Sequence, residues 1–312
     1  MSAPVFPRTG ARGHYESYYL RAVDPGGARG VWIRNTVLRR PGGAPAGSVW
    51  CTLWDAAAGP PVAVKATPGL AVAGEWLEIA GSRFGPTAVS GRASAGPHGA
   101  AWQLAVAAAA PPLRHLPHRR LYGAPLPRTK LESPAPAARV SGTVEADGRR
   151  LELDGWPGMI GHNWGSQHAE RWVWLHGIGF DEAPDAWLDL ALGRVRLGSA
   201  TTPWIAGGAL QVDGRRRRLG GMRSRPEASA CAGAATVALG DVRIEVRAPL
   251  EQTVAWVYAD PPGGEHHCAN CSIAALELRV GGRTLRTAHG GAYELGTRER
   301  HDGVALAPFP DP

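Results

Sequence analysis

Two-residue turns of the kind that join antiparallel strands recur along this chain, and they limit its fold more than any other feature. Asp147-Gly148 separates alternating runs over 140–146 and 149–153, Gly281-Gly282 does the same between 276–280 and 283–287, and Gly240-Asp241 lies between 235–239 and 242–247. Such pairs adopt the positive φ angles of a tight hairpin, whose twist matches that of the flanking strands. Within the arms the alternation has period two: Leu276, Leu278 and Val280 face one way, Glu277 and Arg279 the other. The 42 Gly and 27 Pro among 312 residues disfavour a helical bundle, because both residues interrupt helices. The expected fold class is all-β, an antiparallel barrel or sandwich.

Further strands are expected over 15–23, 30–38 and 49–54, separated by Asp24-Pro25-Gly26-Gly27 and Pro41-Gly42-Gly43. The clearest break lies over 121–138, where Gly123, Pro125, Pro127, Pro134 and Pro136 interrupt regular structure. It divides the chain into an N-terminal β domain (1–122), a Pro-rich linker (123–138) and a C-terminal β domain (139–312). A short echo joins the halves. Val31-Trp32-Ile33-Arg34 precedes a strand opening at Trp50, as Val173-Trp174-Leu175-His176 precedes one opening at Trp187.

The formal charge of +7 comes from dispersed Arg, Lys occurring only at Lys65 and Lys130. The single run, Arg215-Arg216-Arg217-Arg218, follows the turn pair Asp213-Gly214 and reads as a solvated hairpin arm, not a nucleic-acid contact. No apolar stretch follows Arg8 to make a secretion signal, and the apolar run 104–112 is far shorter than the ~20 residues a spanning helix needs. A soluble, cytoplasmic protein is expected, with peripheral membrane contact left open. Four cysteines are too few for a disulfide scaffold of this length. No phosphate-cradling Gly loop and no Gly-x-Ser-x-Gly turn is present, which removes nucleotide-dependent and serine-hydrolase readings.

Of 12 Trp, a dense group falls within 156–187. On a strand, Trp172, Trp174 and His176 share one face, and on the next Trp187 shares a face with Asp189. An indole wall holds an apolar molecule by area and stabilises a developing carbocation by ~1–2 kcal/mol per ring. An acid in that wall would protonate an alkene or polarise a carbonyl. Plain core packing is the competing reading for each Trp. Trp256 and Tyr258 share a face on another expected strand and join the candidate wall. Gly161-His162-Asn163-Trp164-Gly165 reads as a tight turn aiming polar side chains. Glu265-His266-His267-Cys268-Ala269-Asn270-Cys271 has zinc-like spacing in a loop, but lacks a second ligand cluster, so no metal is expected.

Asn163-Trp164-Gly165 with Trp172 and Trp174 in the following strand resembles the signature of the tocopherol cyclase and carotenoid 1,2-hydratase (hydroxyneurosporene synthase) group. Tyr15-Glu16-Ser17-Tyr18-Tyr19 is similar to that group's opening motif, and Lys130 with Ser133-Pro134 to its inter-domain segment. The resemblance implies two tandem lipocalin-like barrels or half-open barrels. It also implies a cofactor-independent cyclase, hydratase or isomerase for a hydrophobic isoprenoid or, as in fungal decalin-forming Diels–Alderases, a polyketide. Gly161-His162 stands where tocopherol cyclases have Glu-Lys, so the fold and the pocket are carried over ahead of the substrate. The expected acids and bases are His162, His176, Asp189 and Glu16, with Asn163 orienting. Trp164, Trp172, Trp174, Trp187, Trp256 and Tyr258 are the expected walls, and Arg34 and Lys130 the groups holding a carbonyl or an anionic end. A noncatalytic lipid or pigment carrier is the alternative, and an inactive relative acting as an interaction partner is a third.

Overall fold

The computed structural model describes residues 13–221 and 223–309, so the N-terminal stretch read above for a secretion signal lies outside the described residues. In chain order the strands are β1 (His14–Val23), β2 (Arg29–Arg39), β3 (Ala46–Asp55), β4 (Val62–Val72), β5 (Leu77–Ile79), β6 (Ser82–Phe84), β7 (Ala88–Ala95), β8 (His98–Ala108), β9 (Leu113–Arg114), β10 (Thr129–Ala146), β11 (Arg149–Gly165) and β12 (Arg171–Gly177). They continue as β13 (Trp187–Arg194), β14 (Arg196–Leu197), β15 (Ala200–Thr201), β16 (Ile205–Val212), β17 (Arg215–Gly220), β18 (Glu227–Cys231), β19 (Ala234–Leu239), β20 (Val242–Arg247), β21 (Val254–Ala259), β22 (Glu265–Val280), β23 (Arg283–Thr297) and β24 (Ala305–Leu306). No α-helix occurs among the described residues, and therefore none long and apolar enough to cross a membrane.

The first sheet runs β11-β1-β2-β3-β4-β5-β6-β7-β8-β10 and closes because β10 also pairs with β11, with β9 added against β10. The second runs β17-β16-β13-β12-β23-β22-β20-β19-β18, with β21 paired to β22, and stays open as a curled half-barrel. The turn chemistry is as read: Asp147 and Gly148 have φ of 44° and 78°, Gly281 and Gly282 of 55° and 78°. In β20, Val242, Ile244 and Val246 are buried while Arg243, Glu245 and Arg247 are exposed, the half-buried alternation expected.

β1, β2 and β3 differ, being buried almost continuously. Tyr18, Leu20, Ile33 and Cys51 fill the barrel, whereas Tyr19, Trp32, Trp50 and Trp54 belong to the core shared with the second sheet. These strands are therefore covered on both faces, and their outer face forms the seam between the sheets. Arg21, fully buried, crosses it: NH1 donates to the Gly290 carbonyl (3.1 Å) and NH2 to that of Ser272 (2.8 Å). Burial lowers its pKa to about 9. Trp54 Nε1 likewise donates across the seam to the Gln252 carbonyl at 2.8 Å.

Three expectations are corrected. The linker placed at 123–138 contains the start of β10, and β10 and β11 complete the first barrel, so the chain passes to the second sheet only after Gly165 and not near 139. Pro134 and Pro136 are tolerated because the register shifts between Glu132 and Ala135 and again before Ala138; a residue without a ladder donor is accommodated at such bulges. Gly161-His162-Asn163-Trp164-Gly165 is strand, not turn, paired on both sides by β1 and β10. Its glycines answer to space: a Cβ at Gly161 would lie 2.1 Å from the Tyr19 ring, and one at Gly165 1.9 Å from the Arg128 carbonyl. The third concerns 265–271, which is the first part of β22 and not a loop.

The Arg run is the expected hairpin arm. Arg216 and Arg218 donate to the carbonyls of Pro111, Pro112, Arg114 and His115, and Arg217 pairs with Asp241.

Candidate active site

The seam holds a partly open cavity of about 200 Å³. Tyr15 and Tyr19 of β1, Trp172 and Trp174 of β12 and Tyr258 of β21 supply its aromatic walls, and Arg34, Asn163, His115, His168 and Glu294 its polar groups. Pairing explains the convergence. Ser17 lies opposite Asn163 and Tyr19 opposite Arg34, so all four project from the outer face of the first barrel. Arg34 NH2 donates to Ser17 Oγ at 2.7 Å, and the guanidinium carbon stands 4.2 Å from the Tyr258 ring centre. From the second sheet, Glu294 lies opposite Trp174, and Gly296 opposite Trp172 leaves room for the indole: a Cβ there would sit 2.1 Å from it.

Glu294 is half-buried, and it lines the cavity. Burial raises its pKa above the ordinary carboxylate value, opposed by the Arg34 charge and by Asn270, whose Nδ2 donates to Oε1 at 2.8 Å. The result is a carboxyl biased toward its protonated form inside an aromatic enclosure, the state in which it is a proton donor.

Asp189 and His176, expected as acid and base, are committed elsewhere. Both are fully buried and absent from the cavity wall. Asp189 accepts hydrogen bonds from Ser133 Oγ (2.5 Å), Trp174 Nε1 (3.0 Å) and His115 Nε2 (3.1 Å). His176 Nε2 donates to the Pro136 carbonyl (2.9 Å), which leaves Nδ1 to accept from Arg21 NH1 (2.8 Å). Burial and then the Arg21 charge lower its pKa to about 4. A neutral imidazole with both nitrogens occupied ties the two sheets together.

The motif residues divide by strand period. Asn163 points to the cavity, while His162 and Trp164, one position away on either side, point with Glu16 into the first barrel. There His162 Nε2 bonds Glu16 Oε1 at 2.7 Å, Nδ1 lies 3.6 Å from Glu132 Oε1, and the ring stacks on Tyr18 (4.1 Å) and Trp164 (4.4 Å). Lys130 Nζ donates to the carbonyls of Ala124 (3.0 Å) and Pro127. Glu16, His162, Trp164 and Lys130 are thus on the wrong face to touch a molecule in the cavity. Trp187 and Trp256 are also away from it: Arg216 lies 4.8 Å from the Trp187 ring, and Trp256 packs on Trp50 at 4.9 Å.

Reading the sequence missed Glu294, His115, His168 and Tyr19. A lone acid inside the apolar run Ala292-Tyr293-Glu294-Leu295 was the available signal for the first; His168, just past the motif, offered none. For metals, Cys268 and Cys271 do not converge: three positions apart on β22, one sits with Tyr258 and Glu294 and the other with Arg21. Among the described residues His168, Asp260 and His266 bring ligand atoms within 4.8 Å of one another, with Arg298 NH2 3.2 Å from Asp260 Oδ2 competing for the same carboxylate.

No protein-family model matches the chain. Two uncharacterized proteins of Mycobacterium tuberculosis, from strains CDC 1551 and H37Rv, are each 27% identical over 303 residues, covering 93% of this chain and 88% of the relative. A candidate AttH of Nitrosomonas europaea superposes with a TM-score of 0.55 at 14% identity over 95% of this chain and 97% of the other. Kievitone hydratase of Nectria haematococca superposes with a TM-score of 0.57 at 8% identity over 93% and 90%. The likeness to these structures establishes a shared fold.

Proposed function

We propose that this protein is a cofactor-independent hydratase or hydro-lyase that works by acid–base chemistry on an unsaturated hydrophobic molecule held between the two sheets. One observation carries the reading: a carboxyl kept toward its protonated form, Glu294, and a guanidinium, Arg34, face the same aromatic cavity. Trp172, Trp174 and Tyr258 hold an apolar skeleton by area and stabilise positive charge developing on it, by ~1–2 kcal/mol per ring. Arg34 and Asn163 donate hydrogen bonds to a substrate oxygen, drawing electron density toward it. Glu294 gives its proton to the carbon framework, and water completes the addition; the reverse sequence eliminates it. Cyclisation or isomerisation would start from the same protonation. A carrier needs the aromatic walls but no carboxyl with a raised pKa among them, so Glu294 favours the enzyme. The name of one protein of shared fold, kievitone hydratase, agrees with this chemistry.

The cavity, of about 200 Å³, takes a compact ring system or the reacting end of a longer isoprenoid or polyketide chain. Mass spectrometry of an organic extract of the purified protein identifies the ligand. With that ligand Glu294→Gln is expected to bind within about twofold of the parent and turn over at least about 100-fold more slowly. Parent activity falls as pH rises through the raised titration of Glu294, since only the protonated acid donates. Full turnover by Glu294→Gln rejects the reading.

A further inference from the structure

The segment 166–170 carries the chain from the first barrel to the second sheet and holds a group the proposal above does not use. His168 lies in the cavity wall, its ring stacked on Tyr15 at 4.0 Å and on Trp172 at 5.7 Å. Its backbone N–H and its Nδ1 both meet Asp260 Oδ1 at 2.8 Å. Asp260 is fully buried at the end of β21, and its second oxygen faces Arg298 NH2 at 3.2 Å and His266 Nδ1 at 3.6 Å. The acceptor-only carboxylate puts the ring proton on Nδ1 and leaves Nε2, on the opposite edge, with its lone pair. Nε2 is buried and has no protein hydrogen-bond partner among the described residues. Of the His168, Asp260 and His266 group, only His168 lines the cavity.

We propose that His168 is the general base of this cavity, with Asp260 as its positioning residue, and that Nε2 takes the proton from the water that adds to the substrate; this rests on the hydratase reading. The step balances. A water O–H bond breaks, its proton goes to Nε2, the oxygen forms the new C–O bond, and the C=C pair forms a C–H bond with the proton of Glu294. Transfer from the imidazolium to the Glu294 carboxylate through solvent restores both groups. A base held by a carboxylate at one ring nitrogen, with the other nitrogen left to take a proton, is the general arrangement for this task. His115, also in the wall, is paired with Asp189, but at 3.1 Å and through a carboxylate that Ser133 and Trp174 share. Asp260 Oδ1 serves His168 at both contacts.

The test is carbethoxylation by diethyl pyrocarbonate near pH 7, mapped by mass spectrometry, with and without saturating 8-anilinonaphthalene-1-sulfonate in the cavity. His168 is expected to react fastest of the cavity histidines, to be protected by the dye, and to slow by about tenfold in Asp260→Asn. Ring ¹⁵N–¹H spectra of the unaltered protein, which do not depend on the variant folding, are expected to place the His168 proton on Nδ1. Preferential, dye-protected reaction at His115, a proton on Nε2 of His168, or one equivalent of zinc per chain removable by EDTA with release of His168 reactivity overturns the assignment. Turnover is measured separately as hydration of 4-phenylbut-3-en-2-one. Its absence beside a reactive, dye-protected His168 counts against the hydratase reading and leaves the base in place. Turnover that survives unchanged in His168→Ala removes the base and leaves the hydratase.

Discussion

Asp189→Asn separates a structural tether from a catalytic acid. The carboxylate lies on β13, accepts from Trp174 of the neighbouring strand, and reaches across the seam to Ser133 of β10 and to His115. Burial alone would raise its pKa; the charge and hydrogen bond of His115, with His176 and Ser133, outweigh burial and bring it from 3.8 to about 2. Each pH unit between the two values is worth ~1.4 kcal/mol, so the charge contributes about 2–3 kcal/mol to folding. Because the folded value is depressed, that contribution is complete above 3.8, the unfolded value, and is lost as pH falls through about 2. The amide keeps the shape and one acceptor, so the variant loses the charge and little else. Urea unfolding of parent and variant is expected to differ by about 2 kcal/mol near pH 7 and to converge toward pH 2. Asp189→Ala, which leaves buried donors unpaired, is expected to cost more, about 3–5 kcal/mol. A difference near zero at neutral pH, or one that persists unchanged into strong acid, refutes the tether.

Other outcomes follow from the same geometry. Gly161→Ala, whose new methyl would lie 2.1 Å from the Tyr19 ring, is expected to cost about 1–3 kcal/mol in urea unfolding and to weaken dye binding in the cavity, Tyr19 being part of its wall. Arg21→Ala strips partners from two buried carbonyls and from His176 Nδ1, at about 1–3 kcal/mol for each group left unpaired, and is expected to lower the thermal midpoint strongly. Ellman's reagent is expected to titrate one fast thiol, Cys231, which is exposed. Cys51, Cys268 and Cys271 are buried with raised pKa values and are expected to react only on unfolding.

The β character of this chain was legible because it is written locally. Positive φ at Asp147-Gly148 and Gly281-Gly282 is a property of two adjacent residues, and the alternation of β20 follows from a strand with one wet face. The faces of β1 and β11 were not legible, since a strand covered on both sides carries no polar mark of which side is which. Whether His162 or Asn163 meets the cavity turns on a single step of register. Closure was hidden for a related reason: the prolines that mark a linker at 123–138 are equally compatible with a bulged strand, and the choice depends on β11 lying alongside. Trp172 and Trp174 were legible as a shared face, and the structure brings both to the cavity. The chemistry of the wall is the least local quantity of all. Glu294 titrates as it does because other strands bury it, and His168 is oriented by Asp260, 92 residues away. Sequence alone determined the kind of element this chain makes, since backbone preference is short-ranged; the tertiary structure decided which groups share an enclosure, since burial and charge act through space.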